Sequence, residues 1–276
     1  MKRLRAVPRY ALLTLVSAAF VLPLVWMICV SLKPNAEVLS YPPRFFPQHP
    51  RIEAYSAVTR SESFDFLLYA RNTLLLVVLS LVGMVLSSAI AAYGFARVEF
   101  RGRNVMFAIC LATMMIPFPV LMVPTYMIFK QLGWIGTFLP LWVPAWFGSA
   151  FNIFLLRQFF LGIPKELEES AKIDGCSQWG CFWRICLPLA TPALAVVALF
   201  HILTVWNDLI GPLIYLSHQE QFTLALGLQF LESRAGNTPW NQLMAAATLI
   251  VLPVLILFIL AQRTFIRGIA TTGIKG

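Results

Sequence analysis

Charged residues are scarce in this 276-residue chain: Asp, Glu, Lys and Arg together make up 12%, whereas hydrophobic residues make up 59%. Soluble domains carry about 25% charged residues. The composition therefore excludes an ordinary soluble globule and predicts a membrane protein. The few charges are also unequal in sign, because 21 basic residues face 12 acidic ones and the net charge is +9.

Sequence features that ATP hydrolysis, catalysis or metal binding would require are missing as well. No Gly is followed by Lys-Ser or Lys-Thr, so the sequence has no phosphate-binding loop and the chain cannot hydrolyse ATP by itself. Its three His are scattered, which argues against a membrane enzyme with clustered catalytic groups. The five Cys lack the CxxC-like spacing with nearby His that a metal site needs, and we expect them to be reduced thiols.

Long apolar runs are abundant. Six stretches free of Asp, Glu, Lys and Arg exceed the roughly 20 residues that cross a bilayer, at residues 10–32, 72–96, 104–129, 131–156, 185–207 and 235–262. They predict an all-α polytopic protein with six transmembrane helices. We place the last two spans at about 187–209 and 243–262, and the other four over the charge-free stretches themselves.

Basic residues indicate the orientation of these spans. With the N-terminus inside, most of the 21 Lys and Arg fall in inner segments, and most of the remainder lie in one long outer loop, residues 33–71. The positive-inside rule then places both termini in the cytoplasm. The net charge thus reports topology. Binding of nucleic acid has no support, because the basic residues flank spans and form no single stripe.

A polar, charged segment interrupts the apolar sequence at residues 163–188, which we call the 163–188 loop. Asp174-Gly175 favours a turn, since Gly takes φ > 0 without steric cost. Ser177 suits the N-cap of a second helix, predicted to run to about Ile185. The loop is therefore predicted to form two short helices joined by a glycine turn. It falls on the cytoplasmic side and is built to contact a partner.

This loop resembles the cytoplasmic coupling loop of the permease subunits of binding-protein-dependent ABC importers. The family pattern is Glu-Ala-Ala, three residues, Gly, nine residues, then Ile, any residue, Leu and Pro. Here Ser170 replaces the first Ala. The resemblance implies an ATPase-coupling loop formed by Glu169, Ser170, Ala171, Asp174, Gly175, Ile185, Leu187 and Pro188.

Prolines mark one candidate part of a translocation pathway. Pro117, Pro119 and Pro124 fall within the third predicted span and must interrupt its hydrogen-bond ladder. Freed backbone groups at membrane depth are tolerated only against protein or a water-filled cavity. The third span is therefore predicted to line the pathway at Pro117 and Pro119. A kinked packing helix is the alternative.

Polar residues near span ends complete the candidate pathway. Trp206, Asn207 and Asp208 form an ionisable cluster at the end of the fifth span, and intramembrane charges usually face a cavity. The alternative is that Asp208 lies in water at the outer end of that span. Asn72, at the start of the second span, is assigned to the same pathway.

Further matches cover nearly the whole chain and narrow the resemblance to the sugar-type branch, in particular the smaller permease subunit of maltose-like importers. They are Asn72-Thr-Leu, Ala91-Ala-Tyr-Gly-Phe-Ala-Arg97, Trp206-Asn-Asp208, Pro253 and Gln262-Arg263. The tail departs from the usual Gly-Ala-Val-Lys-Gly ending, because Thr272, Gly273 and Ile274 replace its first three residues. The resemblance implies the ABC type I importer permease fold, with residues 1–276 forming a single transmembrane domain.

The resemblance also implies partners. It implies a second permease subunit in a heterodimer, two ATP-binding-cassette ATPase subunits, an external solute-binding protein, and the plasma (inner) membrane of a prokaryote. ATP and Mg²⁺ belong to the ATPase subunits, so no cofactor is expected in this chain. Contact with the binding protein is predicted at Gly236, Asn237 and Trp240. The tail residues Ile274, Lys275 and Gly276 are predicted to reach between the ATPase subunits.

Import of a sugar or sugar-like solute is the function that these features favour. A permease for another polar solute, such as glycerol phosphate, is the first alternative, because no residue identifies the solute. A secondary transporter or channel acting alone is the second. It would need coupling-ion or selectivity residues within the spans. The sequence offers only a single Asp near the end of one span.

Overall fold

The computed structural model describes residues 2–60, 64–233 and 239–272. Every regular element in these ranges is a helix, which confirms the all-α prediction. The chain divides into two compact units. One contains Met1–Leu68 and Gly227–Leu255, and the other contains Tyr69–Leu226 and Ile256–Gly276.

The first unit begins with helices α1 (Lys2–Ser31), α2 (Asn35–Val38) and α3 (Glu53–Arg60). A buried cation orders the chain after α1: Lys33 is 3% exposed, and its Nζ donates to the carbonyl of Arg44 at 2.5 Å. The same ammonium lies 4.8 Å from the ring centroid of Trp26, a cation–π contact. The segment after the first helix is thus anchored by this cation.

The next helices are α4 to α8: Phe66–Arg97, Arg103–Ala112, Phe118–Gln131, Leu139–Trp142 and Ala150–Gly162. They are followed by α9 to α15: Lys165–Ile173, Gln178–Cys181, Leu187–Leu189, Thr191–Trp206, Ile210–Tyr215, Leu224–Glu232 and Trp240–Thr272. Turns of 3-10 helix lie at Thr113–Met115, Val143–Phe147 and Gln219–Gln221, and a π-helical stretch at Phe182–Cys186.

Four helices in the described ranges are long and apolar enough to cross a membrane: Arg9–Ser31, Phe66–Arg97, Leu139–Gly162 and Trp240–Gln262. Two bent pairs have the same character, Arg103–Met115 with Phe118–Gln131, and Gln178–Leu189 with Thr191–Trp206. If each pair is one span, the number is six, as the sequence predicts. The bends are 99° and 75°.

The first bend falls at the prolines. Ile116 and Pro117 leave the helical region, with ψ of 114° and 138°, and α6 begins directly after them. Pro124 remains inside α6. The prediction that prolines interrupt this span is confirmed, because Pro cannot donate to the ladder and restricts the residue before it.

The fourth span differs from its predicted bounds of 131–156. It begins at Leu139 because Gly133 and Gly136 have positive φ and turn the chain before it. It continues to Gly162, past Arg157, whose half-buried side chain is held by contacts within the protein. The Nε of Arg157 donates to the Phe95 carbonyl at 3.2 Å, and its guanidinium lies 4.2 Å from the Phe107 ring centroid. A prediction that ends a span at the first charged residue therefore ends this span too early.

The fifth span is shorter than its predicted bounds of 187–209. Helix α12 ends at Trp206, because Asp208 turns its carboxylate to the start of the next helix and its Oδ1 accepts from the N–H of Gly211 at 3.1 Å. At the other end, the chain bends at Ala190 between α11 and α12.

A hydrophobic core joins the ends of α4, α8 and α12 in the second unit. It includes fully buried Leu156, Phe160, Phe182 and Val197. Tyr93 lies against this core, with its ring centroid 5.9 Å from Phe160 and 5.1 Å from Phe182. The 163–188 loop is part of this core, since Phe182 belongs to both.

Candidate functional site

The 163–188 loop forms two short helices joined by a glycine turn, as predicted. Helix α9 ends at Ile173, and Gly175 has φ +84° with no atom within 4 Å of the position a Cβ would occupy. Ser177 caps α10, because its Oγ accepts from the N–H of Gly180 at 3.1 Å. After α10 the chain continues through the π-helical stretch as far as Cys186, where one extra residue per turn re-aims the backbone.

A buried ion pair fixes α9 to the end of α4. The Nε of Arg97 lies 3.1 Å from Oε1 of Glu168, and the two side chains are 3% and 5% exposed. The contact is an ion pair without hydrogen-bond geometry, since Nε has no hydrogen-bond partner in the described part of the chain. The Nη2 of Arg97 donates to the carbonyls of Phe160 and Ile163 at the end of α8. One guanidinium therefore links α4, α8 and α9.

Tyr93 and Gln178 extend this network to the second helix of the loop. The Tyr93 hydroxyl lies 3.1 Å from Oε2 of Glu168, and the side-chain amide of Gln178 donates to the same hydroxyl at 2.7 Å. The thiol of Cys186 lies 3.3 Å from Oε1 of Glu168. The carboxylate thus meets groups from α4 and the π-helical stretch, and Tyr93 links it to α10 through Gln178. Together these bonds hold both helices of the loop against the core.

The outer face of the loop is exposed. Glu169, Ser170 and Asp174 are exposed polar residues on this face. Two large apolar side chains accompany them, Ile173 at 86% and Trp179 at 59% exposed. Exposed apolar groups next to polar ones are typical of an interaction surface. The loop thus combines a fixed inner face with an outer face free for a partner.

Pro117 and Pro119 lie at the bend between α5 and α6, where the chain is exposed: Met115 is 84% and Phe118 is 49% exposed. The extended residues interrupt the helix at this point. Their place on a translocation pathway remains a prediction.

Asn72 is buried and hydrogen-bonded within the protein, an environment that a role on the translocation pathway does not require. It is 6% exposed, and its Nδ2 donates to the carbonyls of Glu220 and Phe222 at 2.8 and 3.0 Å. The donors of this amide are therefore occupied in tying α4 to the segment before α14. This packing role explains a polar residue at the start of the span.

The three residues of the Trp206-Asn207-Asp208 cluster lie in different environments. Trp206 is buried, whereas Asn207 is exposed and donates back to the carbonyl of Leu203 at 2.8 Å. Burial raises the pKa of the Asp208 carboxyl, and the N–H groups of Gly211 and Ile210 partly offset that effect. Asp208 therefore lies beyond the end of α12, half-buried at the start of the next helix, and its place on a translocation pathway remains a prediction.

The remaining predicted residues lie next to the ends of the described ranges or outside them. Trp240 begins α15 and is 38% exposed. Gly236 and Asn237 lie outside the described residues, as do Ile274, Lys275 and Gly276. Their roles stay predictions.

Similarity to known proteins identifies the family of this chain. A family model for the binding-protein-dependent transport system inner membrane component matches residues 83–271, which include the 163–188 loop and the Arg97 that anchors it. The chain belongs to this family.

Relatives of this permease are named for oligosaccharide transport. The arabinooligosaccharides transport system permease protein AraQ of Halalkalibacterium halodurans is 33% identical over 93% of this chain and 91% of its own length. The diacetylchitobiose uptake system permease protein DasC of Streptomyces coelicolor is 32% identical over 93% and 92%. The resemblance drawn from the sequence is thereby confirmed.

Solved structures show the fold of this permease. A chain of a bacterial ABC transporter involved in import of the acidic polysaccharide alginate matches with a TM-score of 0.84 at 23% identity, over 95% of this chain and 96% of that one. A chain of the alginate transporter in complex with an alginate pentasaccharide-bound periplasmic protein matches with a TM-score of 0.67. The ABC importer permease fold is confirmed.

Sequence reasoning missed the anchor of the permease's loop. No sequence motif assigns a role to Glu168, and Arg97 is named only as the end of a motif. One signal was available: Glu168 lies one residue before Glu169, so the two point to different sides of a helix turning 100° per residue. Which of them faces inward could not be read from that spacing, because the core that buries Glu168 is formed by distant segments.

Proposed function

We propose that this permease passes a sugar or sugar-like solute from an external binding protein into the cytoplasm by alternating access. Separate ATPase subunits, which hold ATP and Mg²⁺, supply the work. The oligosaccharide names of its relatives support the solute class. Another polar solute, such as glycerol phosphate, is the second candidate.

The anchored 163–188 loop carries the mechanical part of this proposal. A permease without nucleotide chemistry receives work only through contact with a partner. A loop connected only by flexible chain would absorb a partner's displacement, whereas this loop is fixed to α4 and α8 by Arg97 and Glu168. Displacement of α9 is therefore transmitted to two candidate spans, which suits a two-state change between inward and outward access.

In this arrangement the loop is cytoplasmic, both termini are cytoplasmic, and Glu169 pairs with a basic residue of the ATPase. A second permease subunit completes a heterodimer around the pathway. Pro117 and Pro119 line that pathway, where the interrupted helix leaves backbone groups free for water or solute. The exposed Ile173 and Trp179 supply the apolar part of the ATPase contact.

Purification and reconstitution test the function directly. A tag on this chain should co-purify two ATPase subunits and a second permease from the native membrane. Reconstituted in vesicles, the complex should import solute only with binding protein, Mg²⁺ and ATP. Uptake driven by an ion gradient without ATP would instead establish a secondary transporter.

Contact with the binding protein is expected at the segment before α15. A Cys introduced at Asn237, in a chain whose native Cys are replaced by Ala, should crosslink to the docked binding protein, because Gly236, Asn237 and Pro239 favour a protruding turn. The measurement is a gel shift, with and without binding protein, after treatment with a maleimide–succinimidyl ester reagent that joins the new thiol to a Lys amine of the binding protein. As a matched control, a Cys at exposed Asn104 should give no such product. Absence of the crosslink, together with normal uptake after replacing residues 236–238 by a Gly-Ser linker, would refute the contact.

A further inference from the structure

Three of the five Cys of this chain lie in the 163–188 loop, at positions 176, 181 and 186. The coupling role proposed for the loop does not use the thiols of Cys176 and Cys181. A thiol is nonetheless one of the few side chains that can be oxidised reversibly. The placement of these two Cys therefore needs an explanation of its own.

Cys176 belongs to the ends of two helices at once. At the end of α9, its N–H donates to the carbonyl of Ala171 at 2.9 Å. The N–H of Gly175, which has φ +84°, donates to the carbonyl of Lys172 at 3.0 Å. These two bonds form a Schellman motif that ends α9. Because Cys176 also directly precedes Ser177, the N-cap of α10, a movement of Cys176 acts on both helix ends.

The geometry of the α10 cap brings the Cys176 thiol to Cys181. The residue before an N-cap commonly packs against the fourth residue of the helix, and these two residues are Cys176 and Cys181. Their thiols lie within hydrogen-bonding reach of each other. Gly180 leaves room for this contact, because a Cβ at that position would lie 2.5 Å from Cys176 Sγ, closer than such atoms approach. The Cys176 thiol thus lies over Gly180 and beside Cys181.

The two thiols differ in access to solvent. Cys176 is half-buried, whereas Cys181 is 0% exposed. Redox-sensing Cys are typically accessible and lie beside a second thiol that completes a disulfide. Cys186 is not that second thiol, because its Sγ donates to Oε1 of Glu168 at 3.3 Å on the inner face of the loop. Cys176 therefore suits the thiol that reacts first, and Cys181 suits the one that follows.

We propose that Cys176 and Cys181 form a redox-sensitive pair, whose oxidation by a hydroperoxide uncouples this permease. The Cys176 thiolate attacks the O–O bond, which gives a sulfenic acid, and the leaving oxygen takes up the thiol proton as water or an alcohol. The Cys181 thiolate then attacks that sulfur, and the sulfenic oxygen leaves as water with the Cys181 proton. The two thiols lose two electrons and the peroxide gains them. Such transient, sensing disulfides are the kind found in reducing compartments.

Closure of the disulfide would displace the outer face of the loop. A disulfide holds its two sulfurs about 2.05 Å apart, much closer than thiols in contact. Cys176 is then drawn toward α10, and the bonds that cap α9 and α10 must both adjust. These caps set the angle between the two helices and hence the positions of exposed Ile173 and Trp179. The inference rests on the proposed docking of the ATPase at this loop and adds its regulation.

Mass spectrometry tests the disulfide independently of transport. The complete importer is purified with its thiols reduced, exposed to hydrogen peroxide or buffer, alkylated and digested. Trypsin, which cleaves after Lys and Arg, releases residues 173–184 as one peptide with Cys176 and Cys181 and no other Cys. After peroxide this peptide should lose two hydrogen atoms and resist alkylation, and dithiothreitol should reverse both changes. An unchanged peptide, a bond to Cys186, or sulfinic acid at Cys176 without a disulfide would each refute the pair.

Transport by proteoliposomes tests the regulation. Peroxide should remove most of the solute imported per ATP hydrolysed, and dithiothreitol should restore it. Cys176→Ser should keep normal coupling without peroxide and lose the sensitivity to it, because a hydroxyl forms no disulfide. Cys110→Ala, which removes another half-buried Cys in α5, should stay as sensitive as the natural chain. Equal sensitivity of Cys176→Ser and the natural chain would place the reactive thiol elsewhere in the importer and refute the proposal.

Gly180→Ala gives a second variant that keeps both thiols. Its methyl group would lie 2.5 Å from Cys176 Sγ, so the thiol must rotate away, while Ala itself favours the helix. Disulfide formation and loss of coupling should both become slower, and an unchanged rate would contradict the contact between the thiols. Disulfide formation without loss of coupling would refute the regulation alone. Failure of the docking proposal shows separately in Glu169→Lys, which involves no redox change.

Discussion

Replacing Glu168 by Ala should lower the free energy of unfolding of the permease by about 3–5 kcal/mol. The Arg97 guanidinium would remain buried without its counter-charge, and removing one partner of a buried pair costs that much. The Tyr93 hydroxyl would also lose the carboxylate 3.1 Å away. Unfolding of the purified importer in detergent, followed by Trp fluorescence, measures the change.

Glu166→Ala is the matched control, since Glu166 lies on the same helix and is exposed. Its effect should stay within about 0.5 kcal/mol. Equal effects of Glu168→Ala and Glu166→Ala would refute the anchoring role of Glu168.

The same pair allows stability and coupling to be separated. An apolar double variant, Glu168→Met with Arg97→Met, should recover most of the lost stability, because well-packed hydrophobic residues often replace a buried ion pair at little cost. We expect it to import less solute per ATP than the natural chain. It lacks the bonds from Arg97 to α8 and from Tyr93 to the Glu168 carboxylate, which make the loop move with the spans. A stable double variant with normal coupling would show that packing alone transmits the movement.

Gly175→Val should uncouple ATP hydrolysis from uptake. Gly175 has φ +84°, a conformation that costs an L residue roughly 1–2 kcal/mol and a β-branched residue more. Nothing lies within 4 Å of the added Cβ, so the backbone strain is the whole effect and there is no steric clash. The strain would be relieved by changing the angle between α9 and α10, which sets the outer face of the loop. The measurement is the number of ATP molecules hydrolysed per solute imported.

Gly175→Asn provides the control for this prediction. Asn adopts positive φ more readily than other non-glycine residues. Gly175→Asn should therefore keep most of the coupling, even though it adds a side chain larger than a methyl group. Glu169→Lys should also uncouple transport, through the reversed charge on the exposed face. Normal transport by complexes carrying Gly175→Val and Glu169→Lys would show that this loop is not the ATPase dock.

The sequence by itself determined the class of the protein and the outline of its fold. Long apolar runs specify helices because a bilayer leaves no water to satisfy the backbone, and such a pattern needs no knowledge of neighbours. The glycine turn at Gly175 and the break at Pro117 were likewise predictable, because each follows from a constraint within one residue. The family could be recognised for the same reason: its signature lies within one short segment.

Only the tertiary structure decided which polar residues are engaged inside the protein. Glu168 and Glu169 look alike in the sequence, yet one is a buried partner of Arg97 and the other is exposed. Asn72 and Asn152 are both buried, yet the first donates to two carbonyls and the second has no partner in the described ranges. Arg157 was taken for the end of a span although its charge is satisfied within it. The partners that decide these cases lie at least 50 residues away along the chain, and periodicity carries no information about such contacts.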